Sequence, residues 1–164
     1  MSSEQSTEKQ QQQGDQLENG PVPLPIDTQM ALLAGAIGGN SALEVHNFDG
    51  TPRQQWELSS LAVGGEGDAL SDNVDEIIEV KYAYIHGVQV AGQAKGEVVD
   101  ALRVVLITPD LQTYHCVSGI VAADVQRMWA AFGRKPFVPA VKVKVAKRKT
   151  GSGRTIFTLI PVKE

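Results

Sequence analysis

One stretch of the chain carries a strong helical period. Between Ser118 and Gly133, the residues Val121, Val125, Met128, Trp129 and Phe132 recur at spacings of three and four. Asp124, Gln126 and Arg127 fall on the other side. Ser118 suits the N-cap and Gly133 the C-terminal stop. A helix of this kind must bury its stripe against a partner, and the sequence on each side of it reads as a β-hairpin. The order hairpin, helix, hairpin limits the fold more than any other feature.

The first hairpin is ALRVVLI and TYHCVS around TPDLQ, a five-residue loop with Pro and Asp. Leu102, Val104 and Leu106 then share a face with Tyr114 and Cys116, and Arg103 and His115 lie opposite. The second hairpin is AVKVKVAK, a KTGSG turn and RTIFTLIPV. Here Val141, Val143 and Val145 alternate with Lys142, Lys144 and Ala146. Upstream, EIIEVKYAYIHGVQV reads as one long strand. Ile78, Val80, Tyr82, Tyr84 and His86 fall on one face and Ile77, Glu79, Lys81, Ala83 and Ile85 on the other. Neither face is cleanly polar, so the register does not say which is core. ALEVHNF reads as a short strand, DGTP as a turn, QQWELSSLAV as a further strand, GGEGDALSDNVD as a loop and AGQAKGEVVD as a turn-rich connector.

This order predicts an all-β domain with one helix over residues 41–164. The arrangement that fits is a five-stranded Greek-key barrel with the helix between strands three and four, the OB-fold. A sheet with one helix on one face is the competing arrangement. Residues 1–25, rich in Gln and Glu and ending in PVPLP, read as a disordered tail, and residues 26–40 as a short helix or linker. A single cysteine, Cys116, rules out an internal disulfide. The first residues have no cationic start and apolar run, and MALLAGAIGG is too short to span a membrane. The expectation is a soluble cytoplasmic protein.

Charge is uneven. Residues 133–164 hold nine Lys or Arg and one acid, a net +8, whereas the other 132 residues hold six Lys or Arg and eighteen acids, a net -12. Such asymmetry points to a polyanionic partner for the basic part. The plainer reading is a solvated strand face carrying lysines.

Catalytic chemistry has little to work with. His46, His86 and His115 are scattered, and His115 and Cys116 would point to opposite faces of a strand, unable to share a metal. GSGRT joins two strands and offers no helix N-terminus to a phosphate. Asp72, Asp75, Glu76 and Glu79 cluster around a loop and read as solvated loop acids. The expectation is a binding protein, not an enzyme, with no cofactor and no metal.

Binding single strands without sequence preference needs cations along the phosphates and rings for the bases. The cations are Lys142, Lys144, Lys147, Arg148, Lys149 and Arg154, with Arg134 and Lys135 leading into the hairpin and Lys81 on the long strand. The stacking candidates are Trp56, Tyr82, Tyr84, Tyr114 and Phe157. Tyr82 and Tyr84 would lie about 7 Å apart on one strand face, near the spacing of successive extended nucleotides. Burial in the barrel core is the competing role for these rings.

These segments, from QQWELSSLAV through EIIEVKYAYIHGVQV and ALRVVLITPDLQTYHCVSGI to KVKVAKRKTGSGRTIFTLIPV, resemble in pattern and order the small single-stranded-DNA-binding proteins of phages and mobile replicons. The resemblance spans residues 42–162. It implies a replication or recombination accessory that coats and protects unwound DNA, in the host cytoplasm if phage-encoded. It also implies cooperative or oligomeric assembly on the strand and contacts with replication proteins. Here the acidic tail is N-terminal rather than C-terminal, which puts tail-mediated recruitment in question. An RNA-binding OB module and a structural or protein-interaction barrel are the alternatives, and no residue separates ribose from deoxyribose.

Overall fold

The computed structural model describes residues 44–164. The expected tail at 1–25 and the helix or linker at 26–40 lie outside the described residues. In chain order the elements are β1 (Glu44–His46), α1 (Pro52–Val63), β2 (Asp68–Ala69), a 3₁₀ turn (Leu70–Asn73), β3 (Ile77–Val80), β4 (Tyr82–Ala91), β5 (Val98–Ile107), β6 (Thr113–Val117), α2 (Gly119–Phe132), β7 (Val141–Lys149) and β8 (Thr155–Pro161). The described chain is thus mostly β, with two α-helices where one was expected.

The strands form two sheets, ordered β1-β4-β5-β6-β2 and β3-β7-β8. The long strand expected at 76–90 is shared between them and breaks at Lys81. The Lys81 N–H donates to the Ile107 carbonyl at 2.9 Å, and its own carbonyl accepts from the Phe137 N–H at 2.9 Å. One residue out of the ladder flips every later side chain to the other face. Ile78 and Val80 before the break and Ala83 and Ile85 after it are therefore all buried in one core. Tyr82 and Tyr84 turn to the opposite face of the five-stranded sheet and join a second apolar cluster. This explains why neither alternating face of the segment reads as cleanly polar.

QQWELSSLAV is a helix rather than a strand. Thr51 accepts a hydrogen bond from the Gln54 N–H, the Gln54 side chain accepts from the Thr51 N–H, and Pro52 opens the first turn. This is a capping box with Pro where its missing N–H costs nothing. Leu58, Leu61 and Ala62, three and four apart, then meet the second cluster. The glycine-rich segment after it is only partly loop: Asp68–Ala69 pairs in parallel with Tyr114 and His115, and Leu70 is buried. The connector at 91–100 also shrinks, because β5 starts at Val98 and the turn closes by Gly92 N–H to the Glu97 carbonyl at 2.8 Å.

Both flanking hairpins and the helix between them form as read. Leu106 lies opposite Tyr114 and Val104 opposite Cys116, so these side chains share the core face. Ser118 caps α2 by accepting from the Val121 N–H. Val121, Val125 and Trp129 enter the core, whereas Phe132 remains 54% exposed. Asp124, expected on the polar side, is buried: its carboxylate accepts from the Thr158 hydroxyl at 2.7 Å and the Leu159 N–H at 2.9 Å, and pairs with Arg127. It bolts α2 to β8.

β7 pairs antiparallel with β3 and with β8, so the last hairpin returns to the start of the long broken strand. No ladder joins β6 to β8 among the described residues, and the two sheets are not closed into a barrel. α2 packs against both β5 and β8 across that opening.

Candidate nucleic-acid interface

The cationic hairpin has two zones. Near its base Val143 and Val145 are buried, while Lys142 and Lys144 point outward. Their cross-strand partners on β3 are Glu79 and Ile77. The Lys142 ammonium lies 3.7 Å from the Glu79 carboxylate and that of Lys144 3.4 Å from Asp75, so two of the expected cations already face acids. These pairs are solvent-exposed, and water screens them.

Beyond Lys144 the hairpin outruns β3 and becomes a two-stranded finger. Lys147, Arg148 and Lys149 are exposed there, and among the described residues no ion pair joins them to a carboxylate. The tip turns through a Thr150 N–H bond to the Arg154 carbonyl at 2.8 Å, with Gly153 at φ +82. Positive φ favours glycine at that position. Arg154 is half-buried. Phe157 pairs with Lys147 across the finger base and packs against the core, so its ring is not an outward platform.

Arg134 and Lys135 do not join the finger. Asn47, which is 1% exposed, donates to the Lys135 carbonyl at 3.0 Å and the Lys81 carbonyl at 3.4 Å, and accepts from the Ala83 N–H at 2.8 Å. One buried amide thus gathers the end of β1, the Lys81 break and the loop after α2. Lys81 and Arg134 stand at the rim of the five-stranded sheet, Arg134 close enough to His46 to lower its pKa, whereas Lys135 lines a cleft with Phe132, Val138 and Lys142. The Lys81 ammonium sits 5.2 Å from the centre of the Tyr82 ring, within cation–π range. β7 separates these cations from the finger tip by roughly 27 Å, from eight steps of strand rise.

The outer face of the five-stranded sheet carries a set of rings. His46 and Phe48 stack with centroids 4.4 Å apart, and Phe48 and Tyr84 lie near parallel at 5.9 Å. Tyr82 meets Phe48 edge-on at 5.7 Å, and His86 tilts against Tyr84 at 5.2 Å. Tyr84 is fully buried, and its hydroxyl donates to the Glu44 carboxylate at 2.5 Å. Burial first and Glu44 second push the phenol far above its ordinary range. Burial lowers the pKa of His46, helped by Arg134, and that of His86, helped by Arg103. Both imidazoles are therefore neutral at pH 7. The His86 Nε2 is buried with no hydrogen-bond partner.

The other ring candidates lie elsewhere. Trp56 is on α1, not on a strand, and is 70% exposed. Tyr114 packs against the main core. Cys116 does the same, and burial pushes its thiol up to about 12. His115 faces the opposite side, near the Gly67 carbonyl at 3.2 Å. Asn47, Phe48 and His46 were not among the sequence candidates. The short-strand pattern of ALEVHNF and the DG turn after it mark that region, and neither says anything about a side chain reaching 36 residues along the chain.

Residues 59–160 match the family model described as Phage Single-stranded DNA-binding protein. The matched span runs from the second half of α1 to β8 and contains the finger, Lys81, Tyr82, Tyr84, Arg134 and Lys135; Trp56 precedes it. No curated protein and no solved structure matches the chain.

Proposed function

The chain belongs to the phage single-stranded DNA-binding protein family, and on that premise we propose that it coats single strands without sequence preference, through the finger and the cationic rim of the five-stranded sheet. The family match carries the reading. The finger supports it, because Lys147, Arg148 and Lys149 stand on a projecting ribbon away from carboxylates. Cations on a ribbon hold phosphates whatever the base. The rim adds Lys81 and Arg134, Lys135 stands in the neighbouring cleft with Lys142, and Tyr82 beside Lys81 offers a ring to a base.

The fold reading that goes with this is an open OB-like arrangement. Counting β3 and β4 as one broken first strand, the order is three meandering strands, α2 and a hairpin whose first strand returns to the beginning. In OB-folds the loop of that last hairpin lies beside the binding face. Its work belongs to phage DNA replication or recombination in the host cytoplasm, with replication proteins and further copies as partners. Among the described residues no helix is long and apolar enough to cross a membrane.

The test is a titration with oligo-dT and a matched RNA at two salt concentrations. With four to six phosphates contacted, the slope of log affinity against log salt is roughly -3 to -4. A flat salt response, or no retention of the DNA oligomer, rejects the reading; stronger binding of the RNA reassigns the partner.

A further inference from the structure

On the outer sheet face Phe48, Tyr84 and Tyr82 pack in one cluster with α1, and α1 is lightly held. Of its twelve residues only Ala62 is buried. Leu58 and Leu61 are half-buried against the cluster of Phe48, Tyr84, Val105 and Ile107. Its polar bonds are its own: the reciprocal Thr51 and Gln54 cap, the Arg53–Glu57 pair at 3.0 Å and Gln55 to the Gly50 carbonyl at 3.1 Å. None of these reaches the sheet.

Glycines flank the helix. Gly50 at φ +93 precedes the cap, and Gly64 and Gly65, the latter at φ +71, follow the last turn. Beyond them the chain is fixed again. The Thr113 hydroxyl donates to the Glu66 carbonyl at 2.7 Å, and Gly67 lies so close that a Cβ there would sit 2.0 Å from the Thr113 Oγ1. The helix is a self-contained piece between two glycine-bearing joints, with anchored backbone after the second.

What it covers is suited to bases. His46, Phe48 and Tyr84 are near parallel, Val105 and Ile107 extend the apolar floor, and Lys81 and Arg134 stand at the rim. Flat rings beside cations hold nucleobases and phosphates together. Resting on the single-strand-binding reading above, we propose that the face under α1 is a concealed nucleobase-binding face, and that α1 swings away to admit the bases of a bound strand. In the free protein the cover keeps a hydrophobic ring surface out of water. When DNA is bound, stacked bases take its place.

A twelve-residue helix without a tertiary contact is marginal in water, so uncovering the face frays it. Hydrogen exchange on the full chain reads this directly. With saturating oligo-dT, the amides of α1 are expected to exchange about tenfold faster than in the free protein, while those of α2 do not. Unchanged or slower exchange in α1, with DNA bound, overturns the proposal. A wild-type protein that retains no oligo-dT fails at the earlier reading, before α1 is in question. The variant Leu58→Ser with Leu61→Ser, checked for folding by circular dichroism, weakens the cover without touching the rings. Its apparent affinity for oligo-dT is expected to rise about threefold or more, because a larger fraction is already open. Equal or weaker affinity in that folded variant overturns the proposal.

Discussion

The two helices are of similar length and do opposite jobs. α2 buries Val121, Ala122, Asp124, Val125 and Trp129, and Asp124 fastens it to the backbone of β8. α1 buries one alanine and spends its hydrogen bonds on its own caps and turns. α2 packs against both sheets, through β5 and β8, which no ladder joins among the described residues. α1 lies over the second, smaller cluster of Phe48, Tyr84, Val105 and Ile107 on the other face of the five-stranded sheet. The contrast teaches that a helix can be well formed locally and still be weakly attached. Capping sets the first property and buried area the second.

The strongest way to break the comparison is to truncate an anchor of each helix. Trp129→Ala is expected to destabilise by about 3–5 kcal/mol, the range for a buried aromatic lost from a core. Leu61→Ala is expected to cost on the order of 1 kcal/mol, the usual scale for a peripheral contact. Urea unfolding of both variants checks this, and equal losses erase the distinction. Next comes Asp124→Ala, which strands the Leu159 N–H and the Thr158 hydroxyl. The expected cost is about 2–3 kcal/mol, and Asp124→Asn should recover part of it because the amide oxygen still accepts.

A smaller effect separates binding from stability. Replacing Lys147, Arg148 and Lys149 together by Ala is expected to weaken oligo-dT binding roughly tenfold at low salt and to reduce the salt slope by about 2. The melting temperature should hardly move, since all three side chains are exposed.

The smallest effect is in pH. His46 and His86 lie on the ring face, and their pKa values are lowered, first by burial and then by Arg134 and Arg103 respectively, with Glu44 opposing. The unfolded chain therefore takes up protons first as pH falls. The contribution of these groups is full above about 6.5, the unfolded value, and is lost as pH falls through the lowered folded values. Hydrogen exchange between pH 7 and pH 5, corrected for intrinsic rates, should show α1 loosening before α2. Loss of protection in α2 first contradicts the assignment.

Much of this architecture is readable before folding. Ser118 and Gly133 bound α2, TPDLQ and KTGSG mark two hairpins, and the charge asymmetry locates the finger. The cap of α1 is also readable, in Thr51, Pro52 and Gln54, but DGTP equally signals a turn and the residues after it alternate enough to suggest a strand. The face of Tyr84 was not readable. Its burial depends on the break at Lys81, and that break depends on bonds to Ile107 and Phe137, neither of them local.

The sequence by itself determined the local elements whose signals lie within a few residues: capped helix, alternating strands, turns and a cluster of cations. Tertiary structure alone decided which face each ring occupies and which cations stand together. Asn47 ties the Lys81 and Lys135 carbonyls to one amide, Asp124 turns from a polar-face residue into a buried bolt, and α1 comes to lie over Phe48 and Tyr84. The physical reason is range. Periodicity and capping act between near neighbours, whereas register, burial and charge grouping are set by partners that meet only when the two sheets pack.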